Sequence, residues 1–518
     1  MKSQQAGSER NHKPGAVRHA EKRRIGSCRF ADRVASISME VFHSKIPLYF
    51  REMHKYTCAA SVVAHFENDD HLQVVALGVG TKFLRESVLR AEELHSESGP
   101  MMEGADGNKR YSGYGIRVRD CHAEVLARRA FRRQLSFEIQ ELLEQHPTRC
   151  SNGHRRILKQ TQLRSAEKGT KAKFTLESGV TLHFYSSSAP CGNAALKKFS
   201  KMEGEHSNYE LAVDKWPSAQ HEPILGHALS MGQFALLVKR DNTVDEIAVP
   251  RKCTMTRKRW PALQTDEWCP VGTSIVGYNK GSIHSCSDKL CRWNIMGLQG
   301  SLLSSLLDEP VFMDTITIGR KFTPCISRRA ICCRAREMPK KRHPLKTNNY
   351  DEHSVYRLHH PAVMGTGIYM DNFGILDMTN DSKFGQDVRF ESQLSWAWWP
   401  GASFHHEQME VECIDGSTGF AYVWDDSSRS IDLESAKVSR ISTASLLNLY
   451  VAITGTDVAF VETATSLAGL RAFKLKESSL YESEKTKLMT RHSILRQWRR
   501  REQEARRNCQ NQNSTGVA

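Results

Sequence analysis

No run of apolar residues in this chain approaches the roughly 20 that a membrane-spanning helix requires. Its first 27 residues, MKSQQAGSERNHKPGAVRHAEKRRIGS, hold no apolar segment of the kind a secretory signal needs. A mitochondrial presequence fits poorly too, because Glu9 and Glu21 interrupt a stretch without an amphipathic apolar face. Internal repeats are absent, and no linker is long enough to demand separate domains. The 14 cysteines show no regular pairing in their spacing. They are expected to stay thiols or metal ligands in the nucleus or cytoplasm of a protein that is not secreted. What the chain has in excess is positive charge, 73 lysines and arginines against 58 acids over 518 residues. The excess is clustered, with nine basic residues to two acidic between Lys485 and Arg507 and ten to one between Arg320 and Lys346. Such clusters read either as a footprint for nucleic acid or phosphate, or as basic loops and a frayed tail.

The first 45 residues lack apolar periodicity and are expected to be a flexible basic lead. One catalytic domain over 46–507 and a disordered tail at 508–518 would follow. HLQVVALGVGTKF (His71–Phe83) predicts a buried strand and a glycine turn. Helical spacing of Val125, Leu126, Phe131, Leu135, Ile139 and Leu142 predicts a helix from Cys121 to about Gln145, with Asp120 as its N-cap. Residues 148–178 read as an insertion or long loop. TLHFYSSS (Thr181–Ser188), FALLVK (Phe234–Lys239) and VFMDTITIG (Val311–Gly319) read as strands. PCGNAALKKF reads as a helix opening at its proline, and SCSDKLCRWNIMGLQGSLLSSLL as an apolar helix broken near Gly297–Gly300. Further helices are expected at Ser442–Ala452 and at about Glu477–Arg506. The alternation of strands and helices indicates an α/β layered core.

Three residues carry the candidate chemistry. His122 stands in RDCHAEVLARRAF, Cys191 in SSAPCGNA and Cys286 in HSCSDKLCRWN, each at the mouth of a predicted helix. A lone histidine there is ordinarily a polar surface or capping residue, and a buried cysteine ordinarily a small apolar filler. Together, one imidazole and two thiolates make a zinc site with its fourth position open, the arrangement of a catalytic rather than a structural centre. Helix N-termini favour the thiolate that zinc needs. Zinc deaminases of nucleobases pair H-x-E, whose glutamate shuttles protons, with P-C-x-x-C. Here Gly-Asn-Ala follows Cys191, so the second thiolate must come from elsewhere, and Cys286 is the best candidate.

HAEVLARRAF, PCGNA and CSDKLCRWNIMGLQGSLLSSLLDEP resemble the three signature blocks of the adenosine deaminases acting on RNA, over roughly residues 45–505. That superfamily includes double-stranded-RNA editing enzymes and the tRNA enzymes that modify adenosine 37 of tRNA-Ala. The resemblance implies a three-layer, cytidine-deaminase-like core, a mixed sheet flanked by helices, with large insertions and a C-terminal extension of helices and strands. It implies Zn²⁺ on His122, Cys191 and Cys286, with Glu124 as proton shuttle. It also implies a buried inositol hexakisphosphate, with Arg128, Arg129, Lys289, Arg292, Trp293, Gln299 and Ser301 at positions that surround it. Tyr481, Lys485 and Trp498 are the C-terminal candidates for the same group. Asp120 and Lys289 would form a polar relay between the two sites, and Thr81 and Lys82 would contact the target nucleotide.

The sequence departs from the family pattern at Val79, at Asn193, where aspartate is usual, and at Cys291, where alanine is usual; no ligand position is affected. A lead too short and polar to hold a double-stranded-RNA-binding domain, together with the form of HAEVLARRAF, favours the tRNA branch. The expected partner is then the anticodon stem-loop of tRNA, with no membrane and no obligate protein partner. Double-stranded-RNA editing is the alternative within the class. A catalytically silent, zinc-stabilised RNA-binding protein is the alternative outside it, and a free-nucleoside deaminase leaves the basic clusters without purpose.

Overall fold

The computed structural model describes residues 29–53, 57–84, 113–144, 154–162, 172–191, 285–332, 355–368, 394–403, most of 411–456, and 466–491, with a few shorter stretches between them. In chain order the elements that frame the site begin with α1 (Arg29–Lys45), β1 (Ala59–Phe66), β2 (His71–Val79), β3 (Thr81–Phe83), β4 (Asp120–His122) and α2 (Ala123–Leu143). The hairpin β5 (Leu158–Gln162) and β6 (Lys173–Leu176) follows, then β7 (Val180–Ser188), α3 (Cys286–Met296), α4 (Gly300–Ser304), β8 (Thr315–Arg320) and α5 (Pro324–Ile331). The last third holds β9 (Ala362–Gly365), β10 (Leu394–Trp398), β11 (Glu412–Asp415), β12 (Ala421–Asp425), β13 (Ser430–Lys437), α6 (Thr443–Thr454), α7 (Leu467–Glu477) and α8 (Ser479–Arg491).

Nine strands form one mixed sheet in the order β9-β8-β7-β1-β2-β10-β11-β12-β13. β8 runs parallel to β7 and β9, and the other pairings are antiparallel. The central strands are buried almost throughout because helices cover both faces. On one face Val62, Ala64, Phe184 and Ile316 pack with Leu126, Ala130, Phe131 and Leu135 of α2. On the other, Val63, Val74, Leu77 and Tyr185 pack with Val34, Ala35, Met39 and Phe42 of α1. Alternating side-chain direction along each strand divides the two cores.

Two glycines let α2 approach its strand. A Cβ on Gly78 would lie 2.3 Å from the Ala127 nitrogen and 2.4 Å from the Ala123 carbonyl oxygen, so the helix backbone rests on β2 itself. Gly80, at φ +152°, would carry a Cβ 2.4 Å from the Cys121 carbonyl oxygen. Its own carbonyl accepts the Ala123 N–H at 3.0 Å.

Several sequence expectations change here. Residues 29–45 are not part of a flexible lead but a helix on the sheet. Its apolar residues at Ala31, Val34, Ala35, Met39 and Phe42 recur every three to four positions and are buried. Residues 120–122 pair as a strand with β3, so the helix begins at Ala123 rather than Cys121, with His122 rather than Asp120 as its N-cap. The 148–178 loop contains the β5–β6 hairpin, tied to α2 where Glu138 accepts the Ile157 and Leu158 N–H groups at 2.9 and 3.0 Å. The strand read at Phe234–Lys239 is Leu237–Arg240, paired with Thr243–Glu246 apart from the large sheet. The C-terminal helix expected at about Glu477–Arg506 is α8, described from Ser479 to Arg491, and α7 is a further helix before it that the sequence reading did not name. The break near Gly297–Gly300 falls between α3 and α4, and α6 starts on a Ser442 cap whose Oγ accepts the Ser445 N–H. The helix expected after Pro190, both terminal segments and residues 333–346 and 492–507 lie outside the described residues. Among the described residues, no helix is long and apolar enough to cross a membrane.

Candidate active site

Three separate chain segments meet at the N-terminus of α2. β4 delivers His122, the end of β7 delivers Cys191 through Pro190, and the first residue of α3 is Cys286. One potential ligand atom from each lies within 4.8 Å of the others, and all three residues are buried. The Cys286 N–H donates to Cys191 Sγ at 3.2 Å, and the Ser287 N–H donates to the Cys191 carbonyl oxygen at 3.1 Å. Cys191 therefore sits on the N-terminus of α3, where amide dipoles favour a thiolate. Asp120 accepts the His122 backbone N–H at 2.9 Å and engages its Nδ1 at 2.7 Å, which turns Nε2 toward the sulfurs. Carboxylate-oriented imidazole is the outer support that zinc histidines ordinarily have. Lys289 donates to the other oxygen of Asp120, a direct contact between the two residues expected to form a relay.

The charges follow from these contacts. The hydrogen bond from Cys286 holds the Cys191 thiol well below its ordinary range, against burial and with help from His122. Burial and the adjacent Cys191 thiolate push Cys286 up. Burial opposes a charge on Asp120, but Lys289 and His122 overcome it and hold the carboxyl well below the usual range. Two buried sulfurs and an imidazole this close fit a divalent, thiolate-loving cation, which would relieve the repulsion that keeps Cys286 protonated. Glu124 is on the first turn of α2, buried, and raised first by burial and next by Cys191. Thr81 and Lys82 lie opposite His122 and Cys121 across the β3–β4 ladder. The half-buried Phe83 ring lies nearly parallel to the His122 imidazole at 5.7 Å.

A second group of cations lies beside α3. The Arg128 guanidinium stacks on Trp293 at 4.9 Å, and Arg132 Nε donates to the Gln299 carbonyl oxygen at 3.1 Å. Burial, then Arg132, depresses Arg128 well below its ordinary value. Burial, then Lys485 and Arg132, lowers Lys474 to about 7. Tyr481 and Arg292 also act on Arg128, and Ser301 Oγ is buried beside them without a hydrogen-bond partner. Lys485 is paired with Glu482 at 2.9 Å. Arg128 Nε and Trp293 Nε1 are buried without a hydrogen-bond partner. Crowded half-buried cations with unmet donors fit a polyanion, since leaving them uncompensated is costly.

Not every expected member belongs to this group. Arg129 spends its guanidinium on the Ile441 carbonyl oxygen at 2.7 Å and on Thr443 Oγ1 at 3.2 Å, fixing the start of α6. Gln299 uses its amide on Met296 and Val311, holding the turn between α3 and α4. Lys289 is committed to Asp120. Trp498 lies outside the described residues. Sequence reasoning missed Arg132 and Lys474. Arg132 stands four residues after Arg128 on one helical face, a legible signal; Lys474 had none.

Residues 104–502 match the adenosine-deaminase (editase) domain family. The chain is similar to the mouse double-stranded RNA-specific adenosine deaminase, 26% identical over 395 residues, covering 75% of this chain and 26% of that protein. It is also similar to the fruit-fly tRNA-specific adenosine deaminase 1, 24% identical over 283 residues, 55% of this chain and 53% of that protein. The human tRNA-specific adenosine deaminase 1 is 23% identical over 367 residues, 56% of this chain and 66% of that protein. The chain thus spans a quarter of the mouse relative and one half to two thirds of the tRNA-specific ones.

Proposed function

The chain belongs to the adenosine-deaminase (editase) domain family, and from that premise we propose that it hydrolyses adenosine to inosine in tRNA, at adenosine 37 of tRNA-Ala. The observation that carries this reading is the convergence of His122, Cys191 and Cys286 within 4.8 Å, with the Glu124 carboxyl buried on the adjoining helix turn. A zinc ion held by these three would supply the Lewis acidity that makes water a nucleophile at neutral pH. Glu124 accepts the proton of the attacking water, delivers it to adenine N1 and assists the departure of ammonia, so that adenosine and water become inosine and ammonia. Asp120 fixes the His122 tautomer, and Lys289 keeps Asp120 charged. Thr81 and Lys82, level with the histidine, hold the target nucleotide. Arg128, Arg132, Arg292, Trp293, Ser301, Lys474, Tyr481 and Lys485 would hold inositol hexakisphosphate. The core is then of the cytidine-deaminase kind, and the protein works in the nucleus or cytoplasm, where tRNA is.

The tRNA substrate is supported by the similarity to the tRNA-specific relatives. An anticodon-loop adenosine is also easily extruded from its stack. Double-stranded RNA is the second reading, supported by the 26% identity to the mouse enzyme. Purified full-length chain incubated with unmodified tRNA-Ala transcript and with a perfect duplex separates them when inosine is mapped. Inosine at position 37 is expected. Inosine in the duplex alone moves the assignment to the second reading, and none in either substrate at one zinc per chain leaves a catalytically silent RNA-binding protein.

A further inference from the structure

Cys286 stands among three polar residues, Ser285, Ser287 and Asp288, each of them 1% exposed or less. Polar side chains buried this deeply must find hydrogen-bond partners or destabilise the fold, and these three find one another. Ser285 Oγ donates to Asp288 Oδ2 at 2.7 Å and accepts the Asp288 N–H at 3.3 Å. Ser287 Oγ lies 3.2 Å from Ser285 Oγ. A serine hydroxyl has one hydrogen and two lone pairs. The Ser285 hydrogen goes to the Asp288 carboxylate, so Ser287 is the donor in the other contact, and the Ser285 hydroxyl is saturated. Ser285 is also the N-cap of α3, and Cys286 is the first residue of that helix. The same turn reaches the second sulfur, because the Cys286 N–H donates to Cys191 Sγ at 3.2 Å and the Ser287 N–H to the Cys191 carbonyl oxygen at 3.1 Å.

We propose that Ser285 is a positioning residue for the metal site, a saturated hydroxyl that fixes the turn holding both sulfurs. Three bonds to one oxygen lock the backbone on either side of Cys286. The locked turn presents Cys286 Sγ and, through its two N–H groups, keeps Cys191 beside it. Both sulfurs are then in place beforehand, and metal binding needs no rearrangement of this part of the chain. Ser442 caps α6 by the same bond, its Oγ accepting the Ser445 N–H at 3.0 Å, but that helix start carries no ligand. The two serines therefore do equal service to their helices and unequal service to the metal.

This inference rests on the proposed reading of the site as a zinc centre. The test uses full-length chain, wild type, Ser285→Ala, Asp288→Ala, Ser442→Ala and Cys286→Ala. Zinc affinity is measured by competition with a chelator, and urea unfolding is followed on the metal-free chains. Cobalt(II) is also added to each metal-free chain, and its thiolate charge-transfer absorption is recorded. Ser285→Ala is expected to weaken zinc binding about 10- to 100-fold, the usual effect of losing a residue that supports metal ligands, and to lower the cobalt absorption per bound ion. Asp288→Ala should act in the same direction, because the Ser285 hydroxyl loses the acceptor that directs it. Ser442→Ala should lower the urea midpoint about as much as Ser285→Ala, since each loses one cap, yet keep wild-type zinc affinity and cobalt spectrum. Wild-type zinc affinity or an unchanged cobalt spectrum in Ser285→Ala would overturn the proposal. So would an equal weakening of zinc binding in Ser442→Ala. A Cys286→Ala chain that binds zinc as tightly as wild type defeats the zinc centre and this inference together. Zinc lost in Cys286→Ala but retained at wild-type affinity in Ser285→Ala defeats this inference alone.

Discussion

Lys289 donates its ammonium hydrogen to Asp120 across 169 residues of sequence, and the same carboxylate holds the ring of His122. One ion pair therefore joins α3, which carries Cys286, to β4, which carries the imidazole. Both partners are largely buried, so neither charge is well solvated without the other.

Asp120→Asn should weaken zinc binding by about 10- to 100-fold, because the imidazole loses the acceptor that orients it and raises its basicity. Competition against a chromogenic chelator measures this. An unchanged zinc affinity would mean that Asp120 serves the fold rather than the metal.

Glu124→Gln should keep zinc at one per chain while lowering inosine formation by at least about 10²- to 10⁴-fold, since an amide cannot accept the proton. Metal analysis alongside single-turnover assays gives both numbers on one sample. Loss of zinc in the variant would reassign Glu124 to metal retention.

Lys474 sets a pH dependence. Its folded value, lowered from the ordinary 10.5 to about 7, lies below the unfolded one, so between these values the unfolded chain binds more protons. Stability should rise with pH from about 7 to 10.5 and contribute no slope below 7. Lys474→Met should remove that slope, and added inositol hexakisphosphate should flatten it by restoring the ammonium. Urea unfolding of the two chains across this range is the measurement, and parallel pH profiles would refute the assignment.

Phe42→Ala should destabilise the chain by about 3–5 kcal/mol, the usual cost of emptying a buried aromatic site. Phe42 is 2% exposed in the core between α1 and the sheet. A denaturation midpoint equal to wild type would mean that α1 does not dock on the sheet in solution.

Local sequence carried the long helix after His122, the strand at residues 181–188, the break at Gly297–Gly300 and the helix near Ser442–Ala452, because each depends on periodicity or on a local break in it. It was silent where the decision is non-local. The strand at Asp120–His122 exists only because β3 lies beside it, and α1 looks like a polar lead until its narrow apolar stripe meets the second face of the sheet.

The sequence by itself determined the residue types of the site: one histidine, two cysteines and a glutamate, each at a helix mouth, in blocks specific enough to name a family. Tertiary structure alone decided which side chains act on one another. It set Arg129 on the Ile441 carbonyl, gave Lys289 to Asp120, and brought Arg132 and Lys474 together. Residue type and spacing are local properties of a chain, whereas hydrogen-bond partners and local dielectric depend on segments far apart in sequence, which meet only when the sheet closes over its two cores.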